Sequence, residues 1–206
     1  QIIISFDNPI ILRGANSELL LNFASNPLQM NKVLSPRMLF VVTAVAIAAL
    51  TRILPHPPNF TAVGAMALFA GACMSNRLLS LVVPMAALFI TDLFLGFHNT
   101  MWAVYGAVGI TTMLGWIIRD RQNFLTVTGA SLASIAIFFF VTNAAMWLVG
   151  FFMTGFYPQT GAGLLMSIEA GIPFLNNSIL SQLIYTGVMF GAFHAARVWK
   201  PTLVKA

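Results

Sequence analysis

From Met38 to Trp199 the chain is a succession of apolar runs separated by gaps, with few charged residues anywhere along it. No other feature limits the fold so strongly. A water-soluble domain carries charged residues at about 25% of its positions, whereas here they make up 7% of 206 residues and hydrophobic ones 59%. Too little polar side chain remains to cover a surface in water, and the chain reads as an all-α membrane protein. The net charge of +5 does not point to nucleic acid, because the basic residues lie between the apolar runs, where they set membrane orientation.

Six transmembrane helices are predicted, at Met38–Leu54, Phe60–Met74, Leu79–Phe97, Met101–Ile118, Phe124–Phe152 and Pro173–Trp199. The first two are short for a hydrocarbon core of about 30 Å, and the last two are long enough to tilt or project. Residues 1–36 are read as a peripheral or partly disordered leader, with Met30 as an alternative start, residues 37–200 as the transmembrane domain and 201–206 as a tail. Tyr157-Pro158, Gly161, Gly163 and Gly171 make Met153–Ile172 a bent loop or lid. With the amino terminus inside, Arg13, Lys32, Arg37, Arg77, Arg119, Arg121, Arg197, Lys200 and Lys205 are cytoplasmic, and Arg52 is left outside beside a proline loop. Both termini are then cytoplasmic.

On that topology the polar residues of the spans gather toward the outer side. Asp92 and His98 close the third span, Trp102 and Tyr105 open the fourth, and Asn143 and Trp147 lie one turn apart in the fifth. Asn176, Asn177, Ser178, Ser181, Gln182 and Tyr185 occupy the outer half of the sixth, on neighbouring stripes. His56 and Asn59 belong to the rigid loop made by Pro55, Pro57 and Pro58. A carboxylate in the apolar region costs on the order of 3 kcal/mol on insertion scales, which makes Asp92 a site residue, acting directly or by orienting His98 or another donor. His194, toward the cytoplasmic end, reads as a packing histidine.

The single cysteine, Cys73, excludes an internal disulfide framework and a multi-cysteine zinc site. It is either inert packing or chemistry in its own right. Met66, Phe69 and Ala70 share its helical face, and Ala70-Gly71-Ala72 would let a broad, flat group approach the sulfur. One thiolate without clustered histidines suits an axial ligand to a metal already held in a macrocycle better than a bare ion.

Arg52-Ile53-Leu54-Pro55-His56-Pro57-Pro58-Asn59-Phe60-Thr61, Gly64-Ala65, Thr91 to His98, Thr142-Asn143 with Trp147, Tyr157 to Gly161 and Ile172-Pro173-Phe174 resemble the small bacterial membrane proteins related to S-components of energy-coupling-factor vitamin transporters. The resemblance covers about residues 38–199, and the cysteine after Ala-Gly-Ala is similar to that of the cobalamin-transporting BtuM branch. It implies a six-helix S-component-like bundle in the bacterial inner membrane that takes up cobalamin (vitamin B12) at an outward-facing site. Cys73 would be the metal ligand, bound to the cobalt of the corrin, and the catalytic residue in decyanation of cyanocobalamin. Phe60, Trp147 and Tyr157 would pack on the corrin, and Asn59, Asp92, His98 and Asn143 would meet its amides. His56, Met66, Phe69, Ala70, Tyr105, Gln182 and Tyr185 complete the expected ligand-binding set.

Energy-coupling-factor transmembrane and ATPase subunits are the implied partners, docking through Ala44 and Ala48, unless the protein acts alone. No Gly-x-x-x-x-Gly-Lys-Ser/Thr loop occurs, so ATP coupling would come from another chain. Two other readings stand beside this one. The chain could be an S-component for a different vitamin, with Cys73 incidental, or a membrane enzyme with Cys73 as nucleophile and His56 or His98 brought to it by the fold.

Overall fold

A computed structural model describes residues 35–153 and 155–201. The leader, Met30, Arg13, Lys32 and Lys205 lie outside the described residues, as does the tail beyond Pro201. The described residues form six helices: α1 (Pro36–Leu50), α2 (Val63–Cys73), α3 (Arg77–Leu95), α4 (Met101–Ile118), α5 (Phe124–Val149) and α6 (Gly161–Trp199). Four of them, α3 to α6, are long and apolar enough to cross a membrane. Together they fit a multi-pass membrane protein. α4 has the bounds predicted for it, while α1 stops at Leu50 and α2 starts at Val63, both shorter than their apolar runs.

α2 is the centre of the molecule. Its eleven residues span only about 16 Å, too little for a bilayer, and it packs against all five other helices. Every residue from Ala65 to Cys73 is buried, as a helix that is apolar all round requires. Its closest neighbour is α4, where Gly71 and Gly115 face each other. A Cβ on Gly71 would run into the Thr112 carbonyl oxygen, and one on Gly115 into that of Leu68. The small residues before Cys73 therefore admit the backbone of α4 rather than a flat ligand, which corrects the expectation drawn from Ala70-Gly71-Ala72.

Side chains mark three of the helix starts, and two helices carry an internal proline. The Asn76, Asn123 and Thr160 side chains accept hydrogen bonds from the backbone N–H groups of Leu79, Thr126 and Gly163, opening α3, α5 and α6. Pro84 and Pro173 lie inside α3 and α6. Between α1 and α2 the three prolines exclude helix, Asn59 takes a left-handed φ of 60°, and Asn177 of α6 holds the loop by donating to the Pro58 carbonyl at 2.9 Å.

The expected loop at Met153–Ile172 is mostly helix. α6 runs 39 residues, about 58 Å, from Gly161. Its glycines serve contact rather than turning: a Cβ on Gly163 would strike the backbone of Pro158, and one on Gly171 the amide of Asn143. The lid role for 161–172 is thereby replaced by a helical extension packed on α5.

Large apolar side chains stand exposed around the bundle, among them Phe94, Ile117, Phe124 and Phe152. Hydrocarbon is the medium that accommodates such a surface. On α1, Ala48 is buried and Ala44 half-buried within the chain's own core. That face is used internally.

Candidate functional site

The loops α1–α2, α3–α4 and α5–α6 meet at one end of the bundle, and a cavity of about 460 Å3 opens among them. Its polar wall includes Arg52, Asn59, His98, Asn143, Ser181 and Gln182, and its apolar wall Phe138, Phe139 and Phe174. Ring faces beside a few converging polar groups are the usual make-up of a small-molecule site.

An ion pair anchors one side. Arg52 Nη1 lies 2.9 Å from Asp92 Oδ1 and also donates to the Thr91 hydroxyl, while the Tyr105 hydroxyl donates to Asp92 Oδ2 at 2.9 Å. Asp92 is 3% exposed and does not line the cavity; Arg52 does. Of the roles expected for Asp92, direct lining and orienting His98 are not found, whereas orienting another donor is. It positions Arg52, not His98, whose Nδ1 instead shares a hydrogen bond of 3.0 Å with the Thr100 hydroxyl. Removing either partner would leave the other charge without its counterion, which is the costly arrangement.

The opposite side is built by α5 and α6. Asn143 Nδ2 donates to the Phe139 carbonyl at 2.8 Å, and Ser167 of α6 donates to the Asn143 carbonyl at 2.6 Å. Trp147 Nε1 and Gln159 Nε2 fasten the α5–α6 connection, donating to the carbonyls of Pro158 and Trp147 at 3.0 Å each. Gln182 differs from these. It is 4% exposed, it lines the cavity, and its Nε2 has no hydrogen-bond partner among the described residues. An unpaired buried amide donor costs about 1–3 kcal/mol, a cost that an acceptor entering the cavity would remove.

Asn59, His98, Asn143, Tyr157 and Gln182, all expected site residues, do line this cavity. The others are elsewhere. His56 is exposed in the loop; the Phe60 ring packs on Tyr185, centroids 6.0 Å apart; Trp147 ties the α5–α6 connection; and Tyr105 serves Asp92. Met66, Phe69 and Ala70 are fully buried in the core, with Phe69 edge-on to Phe190 and Phe193. Arg52, Thr61, Ser134 and Thr142 line the cavity without having been expected there. For Arg52 a signal existed: one cation beside the proline loop and one carboxylate within a span invite pairing.

Cys73 is at the opposite end. It is fully buried, does not line the cavity, and its sulfur donates to Gln122 Oε1 at 3.8 Å. Around it, side chains cap the carboxyl end of α2. Arg37 Nε donates to the Cys73 carbonyl at 2.7 Å, Gln122 Nε2 to that of Ala72 at 2.9 Å, and Arg119 Nη2 to that of Gly71 at 3.1 Å. Unpaired carbonyls and the negative end of the helix dipole account for two arginines there. The expected juxtaposition of Cys73 with Asn143 and α6's polar residues is therefore absent, and the thiol has an amide for a neighbour, not a base. Among the described residues, no three His, Cys, Asp or Glu side chains cluster as a metal site would need.

A family model described as a family of unknown function, DUF6580, matches residues 32–203. No curated protein and no solved structure matches the chain.

Proposed function

We propose, for a chain that belongs to this family of unknown function, that the protein binds a small organic solute in the cavity between the α1–α2 loop, α4, α5 and α6, and carries it into the cell. The unpartnered Gln182 amide is the observation that carries this reading, because a buried donor on a residue that lines a cavity calls for an acceptor. Arg52 supplies a second donor, and Phe138, Phe139 and Phe174 an apolar wall. The best-fitting solute has a flat or apolar body and a carbonyl or carboxylate group. Uptake is supported by charge: among the described residues, Arg37, Arg77, Arg119, Arg121, Arg197 and Lys200 lie at the end away from the cavity, and the cavity end has only Arg52 as a lysine or arginine. By the positive-inside rule the cavity then opens outward.

Cobalamin is the solute that the S-component resemblance implies, with energy-coupling-factor subunits as the source of ATP coupling. The cavity is at the lower end of the roughly 300–1,000 Å3 of sites for drug-sized ligands, and a corrinoid is larger than those ligands. Ligation of cobalt by Cys73, and cyanide removal through it, would need the capped end of α2 to open.

The test is to purify the full chain from cells supplied with cobalamin, record its visible spectrum and identify extracted solutes by mass spectrometry. A bound solute whose retention falls in Gln182→Leu is expected. Corrinoid bands that change in Cys73→Ala would establish the thiolate ligation; a colourless protein holding a different solute would remove cobalamin and keep the uptake reading. A protein that retains no solute, and whose variants are indistinguishable in solute binding, would sink the reading itself.

A further inference from the structure

The end of the bundle opposite the solute cavity contains a second cavity, of about 500 Å3. Its walls bring together Arg37 from the start of α1, Arg119 just after α4 and Arg197 from the last turn of α6, over the buried Phe193 ring. Asp120 is the one carboxylate in the lining. It forms no ion pair with them; among the described residues that distinction belongs to Arg52 and Asp92.

Capping explains only part of this arrangement. Arg37 and Arg119 spend some of their donors on α2 carbonyls, which fixes both guanidiniums in place. Among the described residues, Arg119 Nε remains buried without a partner, and Arg197, exposed at the rim, makes no bond to a carbonyl. The crowding has a measurable consequence: burial first, then the charges of Arg77 and Arg37, pull the Arg119 guanidinium below its usual pKa. Cations held together against their own repulsion, in a recess with spare N–H donors, form a receptor for an anion. Guanidinium forks match phosphate oxygens better than point charges do. The depth agrees, since the exposed Ile117 and Trp199 side chains flank this end of the spans, and indole rings favour the headgroup level.

We propose that the recess formed by Arg37, Arg119 and Arg197 binds a phosphate-bearing anion, either the headgroup of an anionic lipid or a soluble phosphate. Bound there, the anion links the ends of α1, α4 and α6 around the carboxyl end of α2. The proposal is independent of what the other cavity takes.

The experiment uses the full chain in nanodiscs of phosphatidylcholine alone or with phosphatidylglycerol, and in detergent with inorganic phosphate against chloride at equal ionic strength. Thermal unfolding is the readout. Phosphatidylglycerol is expected to raise the midpoint, and Arg197→Gln to weaken its apparent affinity roughly fivefold, the share of one basic residue at an anionic surface. Arg197→Lys should retain most of the effect, and Arg121→Gln, outside the recess, all of it. A midpoint that also rises with inorganic phosphate identifies a soluble anion as sufficient, and a response to the lipid alone identifies the headgroup. No response to either probe would overturn the proposal. So would a response of equal size in wild type and Arg197→Gln, or an equal loss in Arg121→Gln.

Discussion

Arg52 and Asp92 are worth more together than apart. The Arg52 side chain is 13% exposed; Asp92→Leu removes its counterion, and a stability loss of about 3–5 kcal/mol is expected. The double variant Arg52→Leu/Asp92→Leu should lose much less, because it buries no unpaired charge. Comparing thermal unfolding of the two single variants and the double one gives the coupling directly. Gln182 should behave in the opposite way. Its amide is unsatisfied without solute, so Gln182→Leu is expected to leave the solute-free protein as stable or about 1 kcal/mol more stable, while solute binding weakens by about 1–3 kcal/mol. Calorimetry with the extracted solute, set beside the unfolding midpoint, separates these effects. A residue that only packed the core would lose stability and binding together.

At the scale of the helices, contact between α2 and α4 carries the fold. Gly71→Val forces two backbones apart in the middle of the core, and a loss of at least about 3 kcal/mol, or failure to accumulate folded protein, is expected. Gly106 on the same α4 has open space where a Cβ would go. Gly106→Ala should therefore be neutral or up to about 1 kcal/mol stabilising, through helix propensity alone. Expression and unfolding midpoints of the two variants, measured side by side, check the contrast. The same logic explains why Gly163 and Gly171 did not break α6: the clash that each avoids is with α5 or with the loop before α6, and a helix that gains such packing tolerates its glycines.

For the whole molecule, the prediction concerns orientation. With Cys73 replaced by alanine, a thiol placed by His56→Cys in the proline loop should react with a membrane-impermeant maleimide in intact cells. One placed by Arg121→Cys should react only after permeabilisation. Reversal of that pattern would put the basic end outside and remove the uptake direction from the proposed function. Cys73 itself should resist the reagent on both sides, because it is fully buried.

An all-helical architecture followed from the sequence by itself, because in hydrocarbon each segment must satisfy its own backbone hydrogen bonds and apolar runs reveal where that happens. The α4 bounds, the non-helical proline loop and the gathering of Asn59, His98, Asn143, Tyr157 and Gln182 at one end were legible for the same local reasons: helix period, proline sterics and alternation of direction. Tertiary structure alone decided the rest. Whether Gly171 turns the chain or admits Asn143, whether Gly71 admits a ligand or α4, and whether Asp92 serves a solute or Arg52 each depend on a partner far away in sequence. Cys73 shows this most plainly. Its neighbours in sequence allowed a site, but the chain returns Arg37, Arg119 and Gln122 to that end of α2, where free carbonyls need donors, and the thiol is enclosed among the groups that cap the helix.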